Sequence, residues 1–80
     1  MANRADLVAW VENALHALGG EATIVDVAKH LWSEHEDELR RSGDLFYTWQ
    51  YDMRWAALKL RKDGKLADAN RSKRGTWALR

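Results

Sequence analysis

Apolar residues recur every three or four positions between Leu7 and Leu18. This spacing places them on one face of a helix. It predicts a first helix that begins at Asn3 or Asp6 and ends at Leu18, where two successive glycines stop it.

A second apolar stripe runs from Ile24 to Leu31, directly after Thr23. Because a threonine hydroxyl accepts a hydrogen bond from a free helical N–H, Thr23 is expected to be the N-cap of a second helix. Residues 21–23 are too short for an element of their own and could be the third, edge strand of a small sheet. The segment that starts at Ser33 has capping-box spacing, so a separate helical turn to about Arg41 is expected.

The third helix is predicted over residues 45–62, with Asp44 as its cap and one buried face that includes Trp49 and Leu60. Trp55 and Leu58 lie on roughly the opposite side of this helix. Its C-terminal half is therefore expected to be sandwiched between the first two helices and a hairpin.

The chain after residue 64 shows the alternation of two short strands joined by a basic turn, residues 70–75. Leu66 and Ala67 are expected to begin the outgoing strand, and Trp77 and Leu79 to point inward from the returning one. The element order predicts one α+β domain over residues 1–80. Its class is a winged helix-turn-helix, with three helices and a small antiparallel sheet of two or three strands.

Composition limits the chemistry of the chain. It has 80 residues, 46% of them hydrophobic, and no cysteine, so neither disulfides nor thiolate metal sites are available. The three histidines are too scattered for a preformed metal site. We expect no cofactor, no metal and no enzymatic activity, and a soluble cytoplasmic protein with no membrane association.

Charge is divided unequally along the chain. Residues 1–46 carry four basic and nine acidic side chains, a net charge of −5, whereas residues 47–80 carry nine basic and three acidic ones, a net charge of +6. Such asymmetry favours a polyanionic partner for the basic half. The alternative is that the charges are simply distributed over solvated faces, since halves of a sequence need not be halves of the structure.

The basic turn contains the first group of candidate DNA-binding residues: Arg71, Ser72, Lys73 and Arg74. Three cations within four residues can neutralise backbone phosphates of double-stranded DNA and release condensed counterions. The alternative is a solvated hairpin tip that keeps the sheet edge from aggregating.

The exposed start of the third helix contains the second group of candidates: Tyr47, Thr48, Gln50, Tyr51 and Arg54. Arginine can offer a bidentate fork to guanine, and glutamine pairs with adenine. Tyrosine can contact phosphates or thymine methyl groups. The alternative is an ordinary surface face with half-buried tyrosines.

Spaced aromatic, aliphatic and glycine positions continue from the third helix to the last strand, namely Trp49, Met53, the Trp55-Ala56 pair, Leu60, Gly64, Leu66 and the Arg74-Gly75-x-Trp77 strand. This pattern resembles the N-terminal winged-helix domain of Mrr-type restriction proteins, and the resemblance covers roughly residues 5 to 79. It implies DNA binding as the specificity module of a restriction system. Such proteins usually continue into a nuclease domain, whose motif this chain lacks, so the resemblance does not transfer cleavage to it.

A protein-interaction module is the alternative function, because winged helices serve both purposes. Its contact surface would be the acidic N-terminal half, with the run from Glu34 to Glu38, or an exposed strip at Trp10 and Trp32. A homodimer or a partner protein is compatible with either function.

Overall fold

Residues 2–68 and 73–80 are described by a computed structural model of the chain. They form three helices and a two-stranded antiparallel sheet. The order of elements along the chain is α1 (Asp6–Ala17), β1 (Glu21–Thr23), α2 (Ile24–Arg40), α3 (Leu45–Lys62) and β2 (Thr76–Ala78). The chain is therefore of the α+β class, as predicted.

The α1 helix is fixed at its start by side-chain hydrogen bonds. The Asn3 side chain accepts from the N–H of Ala5 at 2.9 Å, and the Asp6 carboxylate accepts from the N–H of Asn3 at 2.9 Å. The helix ends at Ala17, one residue before the predicted end, and Leu18 is 37% exposed. The apolar stripe is buried as expected from Leu7 to Leu15, but not at Leu18.

The α2 helix begins as predicted, because the Thr23 hydroxyl accepts a hydrogen bond from the N–H of Asp26 at 3.0 Å. The expected separate turn after Ser33 is instead the C-terminal part of α2, set off by a kink at His35 (φ −128°, ψ 17°). The His35 ring stacks on Trp10 of α1, with centroids 3.7 Å apart and planes within 1°. This tertiary contact accompanies the departure from helical geometry.

The α3 helix has the predicted bounds, but the expected cap at Asp44 is wrong. Asp44 itself has helical backbone angles, and its side chain makes no capping hydrogen bond. The first N–H groups of α3 bond instead to carbonyls of the preceding turn, from Leu45 to Ser42 at 3.2 Å and from Phe46 to Gly43 at 3.1 Å. Backbone bonds thus replace the side-chain cap.

The sheet pairs β1 with β2, and Ala22 lies opposite Trp77. The predicted strand at Leu66 and Ala67 is reduced to a single bridge between Leu66 and Leu79 in the described part of the chain. The reason is local, since the N–H of Leu66 still bonds to the carbonyl of Leu60 in the last turn of α3. The chain leaves the helix too late to form a full strand there.

The core lies where α3 packs against α1 and α2. It is lined by aliphatic side chains of all three helices and closed by Trp77 of β2, which is 4% exposed. Of the two residues on the side of α3 that was predicted to be covered, Trp55 is half-buried against the core, whereas Leu58 is 50% exposed, so the predicted sandwich is wrong at Leu58. Leu58 faces a surface groove instead.

Candidate nucleic-acid interface

One face of α3 is exposed along its whole length. Tyr47 is 82% exposed and Tyr51 76%, and Arg54 and Leu58 follow them at helical spacing. Positions i, i+4, i+7 and i+11 lie within a narrow sector of a helix. These side chains therefore form one continuous stripe, which we call the α3 stripe.

Two further candidate residues flank this stripe. Gln50 is exposed and lies beside Tyr47 and Tyr51 on the helix surface. Thr48 is exposed but turned about 100° away from Tyr47 around the helix axis. Its hydroxyl donates a hydrogen bond to the carboxylate of Asp52 at 2.8 Å, so Thr48 is less suited than Gln50 to contact a ligand on the stripe.

An open groove of about 510 Å³ separates the C-terminal half of the α3 stripe from the segment that leads into β2. Four cationic side chains line it, and no acidic side chain does so among the described residues. We call it the cationic groove; its lining residues are Ile24, Arg54, Leu58, Arg61, Lys73, Arg74, Gly75, Thr76 and Trp77.

The basic side of the groove is held by backbone hydrogen bonds. The carbonyl of Gly75 accepts from the N–H of Ile24, the first residue of α2, at 2.9 Å. The N–H of Thr76 donates to the carbonyl of Lys73 at 3.0 Å, and β2 follows immediately. The positions of Lys73 and Arg74 relative to α3 are thus set by the start of α2 and by the pairing of β1 with β2.

The α3 side of the groove carries Arg54 and Arg61, seven residues apart on the same face. The Arg61 Nε donates to the carbonyl of Ala67 at 3.3 Å, which orients its guanidinium. Arg61, Leu58 and Ile24 also line the groove but were not among the predicted DNA-binding residues. The spacing of Arg54, Leu58 and Arg61 on one helix face was a signal that could have identified two of the three.

The predicted basic turn is described only in part. Lys73 and Arg74 are exposed and lie in the cationic groove with Arg54. Arg71 and Ser72 fall outside the described residues. The structure therefore brings three of the predicted site residues together, while Tyr47, Gln50 and Tyr51 continue along α3 beyond the groove.

The acidic segment Glu34–Glu38 lies beside the kink of α2, where its side chains border a shallow polar depression. Arg40 forms an ion pair with Glu36, with Nε and Oε2 2.9 Å apart. Burial lowers the pKa of His35 below its ordinary value, although the carboxylates of Glu34 and Glu38 act in the opposite direction. Among residues 2–68 and 73–80, no three histidine or acidic side chains converge as metal ligands would.

The two tryptophans predicted to be partly exposed are half-buried, and each has an aromatic neighbour. Trp10 is stacked under His35. Trp32 stacks on Trp49 with centroids 5.9 Å apart, and the guanidinium of Arg40 lies 5.1 Å from its ring centroid. These contacts leave less of each indole face open to a partner than the sequence suggested.

Comparisons of the chain with protein-family models, with curated proteins and with solved structures found no match. The proposed function therefore depends on the residues of the chain itself. Within the described part of the chain, no helix combines the length and apolar character required to cross a bilayer.

Proposed function

We propose that this chain binds double-stranded DNA as a winged helix, with α3 in the major groove and the segment around Lys73 and Arg74 on the phosphate backbone. The observation that supports this proposal is the cationic groove. Its walls place Arg54 and Arg61 of α3 opposite Lys73 and Arg74, without an acidic neighbour among the described lining residues.

The electrostatics of this arrangement favour a polyanion. Like charges gathered in one groove repel each other, and a bound anion removes that repulsion. DNA provides phosphates at regular spacing, and each phosphate that a cation neutralises releases condensed counterions. The +6 charge of residues 47–80 provides the long-range attraction that brings the duplex to this side.

The N-terminal half of the α3 stripe and the adjoining Gln50 have the chemistry of base recognition. Tyr47, Gln50 and Tyr51 are exposed and uncharged, so they can approach base edges without the desolvation cost of a buried charge. Glutamine can pair with the N6 and N7 atoms of adenine, and Arg54 at the border of the groove can pair with guanine. The 18 residues of α3 make the helix long enough to reach from the floor of the DNA major groove to the phosphate backbone.

The resemblance to the winged-helix domain of Mrr-type restriction proteins suggests where such binding would be used. A chain of this kind would act as a DNA-recognition module in restriction-modification or in transcription regulation. Cleavage is not proposed for it.

The test is binding of a fluorescent random-sequence duplex, followed by anisotropy as salt is raised. If all four groove cations contact phosphates, the slope of log K against log salt is about −0.9 for each, or about −3.6 in total. Affinity then falls about 150-fold between roughly 50 and 200 mM salt. An affinity that stays constant over this range would exclude the mechanism.

A matched pair of variants locates the contact. On a random-sequence duplex Arg54 is expected to contact a phosphate, so Arg54→Ala should reduce the magnitude of the slope by about 0.9. Lys59→Ala removes the same charge from the same helix, but outside the cationic groove, and is expected to leave the slope nearly unchanged. Equal effects of the two substitutions would mean that net charge, and not the groove, controls binding.

The alternative function, a protein-interaction module, has less support. Its predicted Trp10 and Trp32 strip is partly covered by aromatic neighbours, and Glu36 of the acidic run is already paired with Arg40. Loss of a captured partner on substitution of the acidic run, with no effect of Arg54→Ala, would favour this alternative.

A further inference from the structure

The cationic groove contains two apolar side chains that the phosphate contacts do not use. Leu58 is 50% exposed and Ile24 is half-buried, and both line the groove together with its four cationic side chains. A leucine exposed among four cations would gain from a ligand that covers it with apolar surface. The groove therefore matches an anionic ligand with apolar surface close to its charged groups.

A sugar-phosphate backbone has this combination. Successive phosphates are separated by a sugar, and in DNA the C2′ carbon of that sugar is a methylene group. In RNA the same carbon carries a hydroxyl, which is how proteins distinguish the two nucleic acids at a given site.

We infer that the cationic groove selects deoxyribose over ribose, with Leu58 and Ile24 against the sugar while the surrounding cations hold the phosphates on either side. This inference rests on the proposed DNA binding. A 2′-hydroxyl placed against these two aliphatic side chains loses water and gains no hydrogen-bond partner from them. Selection therefore comes from the apolar side chains in the groove lining and not from its charges.

The selection predicts different effects for two substitutions of exposed aliphatic residues. Leu58→Gln gives the groove lining a hydrogen-bonding amide on a side chain that is one bond longer than leucine. Val25→Gln is the matched control, since Val25 is 62% exposed on α2 and does not line the groove. Because both positions are substantially exposed, both variants are expected to fold, and circular dichroism melts check this.

The experiment compares two duplexes of one sequence, an all-DNA duplex and one whose labelled strand carries a ribonucleotide at every third position. We expect the native chain to bind the ribonucleotide-containing duplex about fivefold more weakly or worse. Leu58→Gln should bring the ratio of the two affinities towards one, whereas Val25→Gln should preserve it. Each protein is measured on the same two duplexes, so differences in helical shape contribute equally to every ratio.

Four results would overturn the inference. Equal binding of both duplexes by the native chain, or an unchanged ratio in Leu58→Gln, would refute it while salt-dependent DNA binding stood. An acidic, leucine-containing peptide that displaced DNA and bound more tightly would assign the groove to a protein ligand. Failure of the native chain to bind either duplex would overturn this inference together with the proposed function.

Discussion

The substitution Gly75→Ala tests how the basic segment of the cationic groove is held in place. The φ of Gly75 is +75°, and a Cβ added there would meet no atom within 4 Å. Its carbonyl accepts the hydrogen bond from Ile24 that ties the basic segment to α2. Gly75→Ala therefore introduces backbone strain without a steric clash.

The expected loss of stability follows from the backbone alone. An L-residue in the left-handed region costs roughly 1–2 kcal/mol. The alanine also restricts the unfolded chain, which offsets about 0.4–1 kcal/mol of this. The net destabilisation is about 1 kcal/mol, which for a domain of this size lowers the melting temperature by about 4–8 °C. A circular dichroism melt measures it.

Gly19→Ala provides the control for strain. Gly19 has a φ of +92° and equally open space around its missing Cβ, but it follows α1 and does not line the groove. Both variants should lose similar stability. Only Gly75→Ala should weaken DNA binding, because a shifted segment moves Lys73 and Arg74 relative to Arg54. The magnitude of the salt slope should then decrease by as much as about 1.8.

Two results would refute this reasoning. If Gly75→Ala were as stable as the native chain, the positive φ would not be required at that position. If both glycine variants weakened DNA binding equally at a temperature where both are folded, the effect would be one of global stability and not of groove geometry.

Three other predictions concern stability. Thr23→Ala removes the hydroxyl that caps the N–H of Asp26 and should cost about 1 kcal/mol in urea unfolding, whereas Thr23→Ser should retain most of it. The pKa of His35 is lowered in the folded chain, so the unfolded chain binds more protons as the pH falls through about 6.5. The free energy of unfolding should therefore be greatest above that pH and decrease below it. His35→Gln should flatten this dependence on pH in urea unfolding. Ser42→Ala should cost about 1–3 kcal/mol in the same assay, because the buried Ser42 hydroxyl is the acceptor for the N–H of Ala2.

Helix positions could be predicted from the sequence because burial depends on side-chain periodicity. The α3 bounds and the Thr23 cap were correct, since both are set within a few residues of chain. The predicted cap at Asp44 and the predicted strand at Leu66 were wrong. The N–H groups at the start of α3 and at Leu66 instead bond to backbone carbonyls of the preceding turn or helix. Local propensity is decisive only where no competing backbone partner is close.

The candidate site shows the same division. The exposure of Tyr47, Tyr51 and Arg54 follows from helical spacing and was predicted, whereas the exposure of Leu58, the fourth member of the α3 stripe, was not. The cationic groove depends on a hydrogen bond between Gly75 and Ile24, which are far apart in the sequence. No sequence pattern at either position indicates this bond. Leu58 was consequently assigned to a buried face, because its neighbour across the groove could not be known.

The unequal charge of the two halves of the sequence has a spatial consequence along α2. The groove meets this helix at Ile24, its first residue, whereas the acidic segment lies from Glu34 onward, ten residues later. At a rise of about 1.5 Å per residue the two are roughly 15 Å apart, which exceeds the Debye length of about 8 Å at physiological ionic strength. The acidic run therefore contributes little to the field at the part of the cationic groove next to Ile24. The start of α2 borders the groove and the main acidic run lies beyond the midpoint of the helix, so a chain of net charge +1 can present a groove lined by four cations to a polyanion.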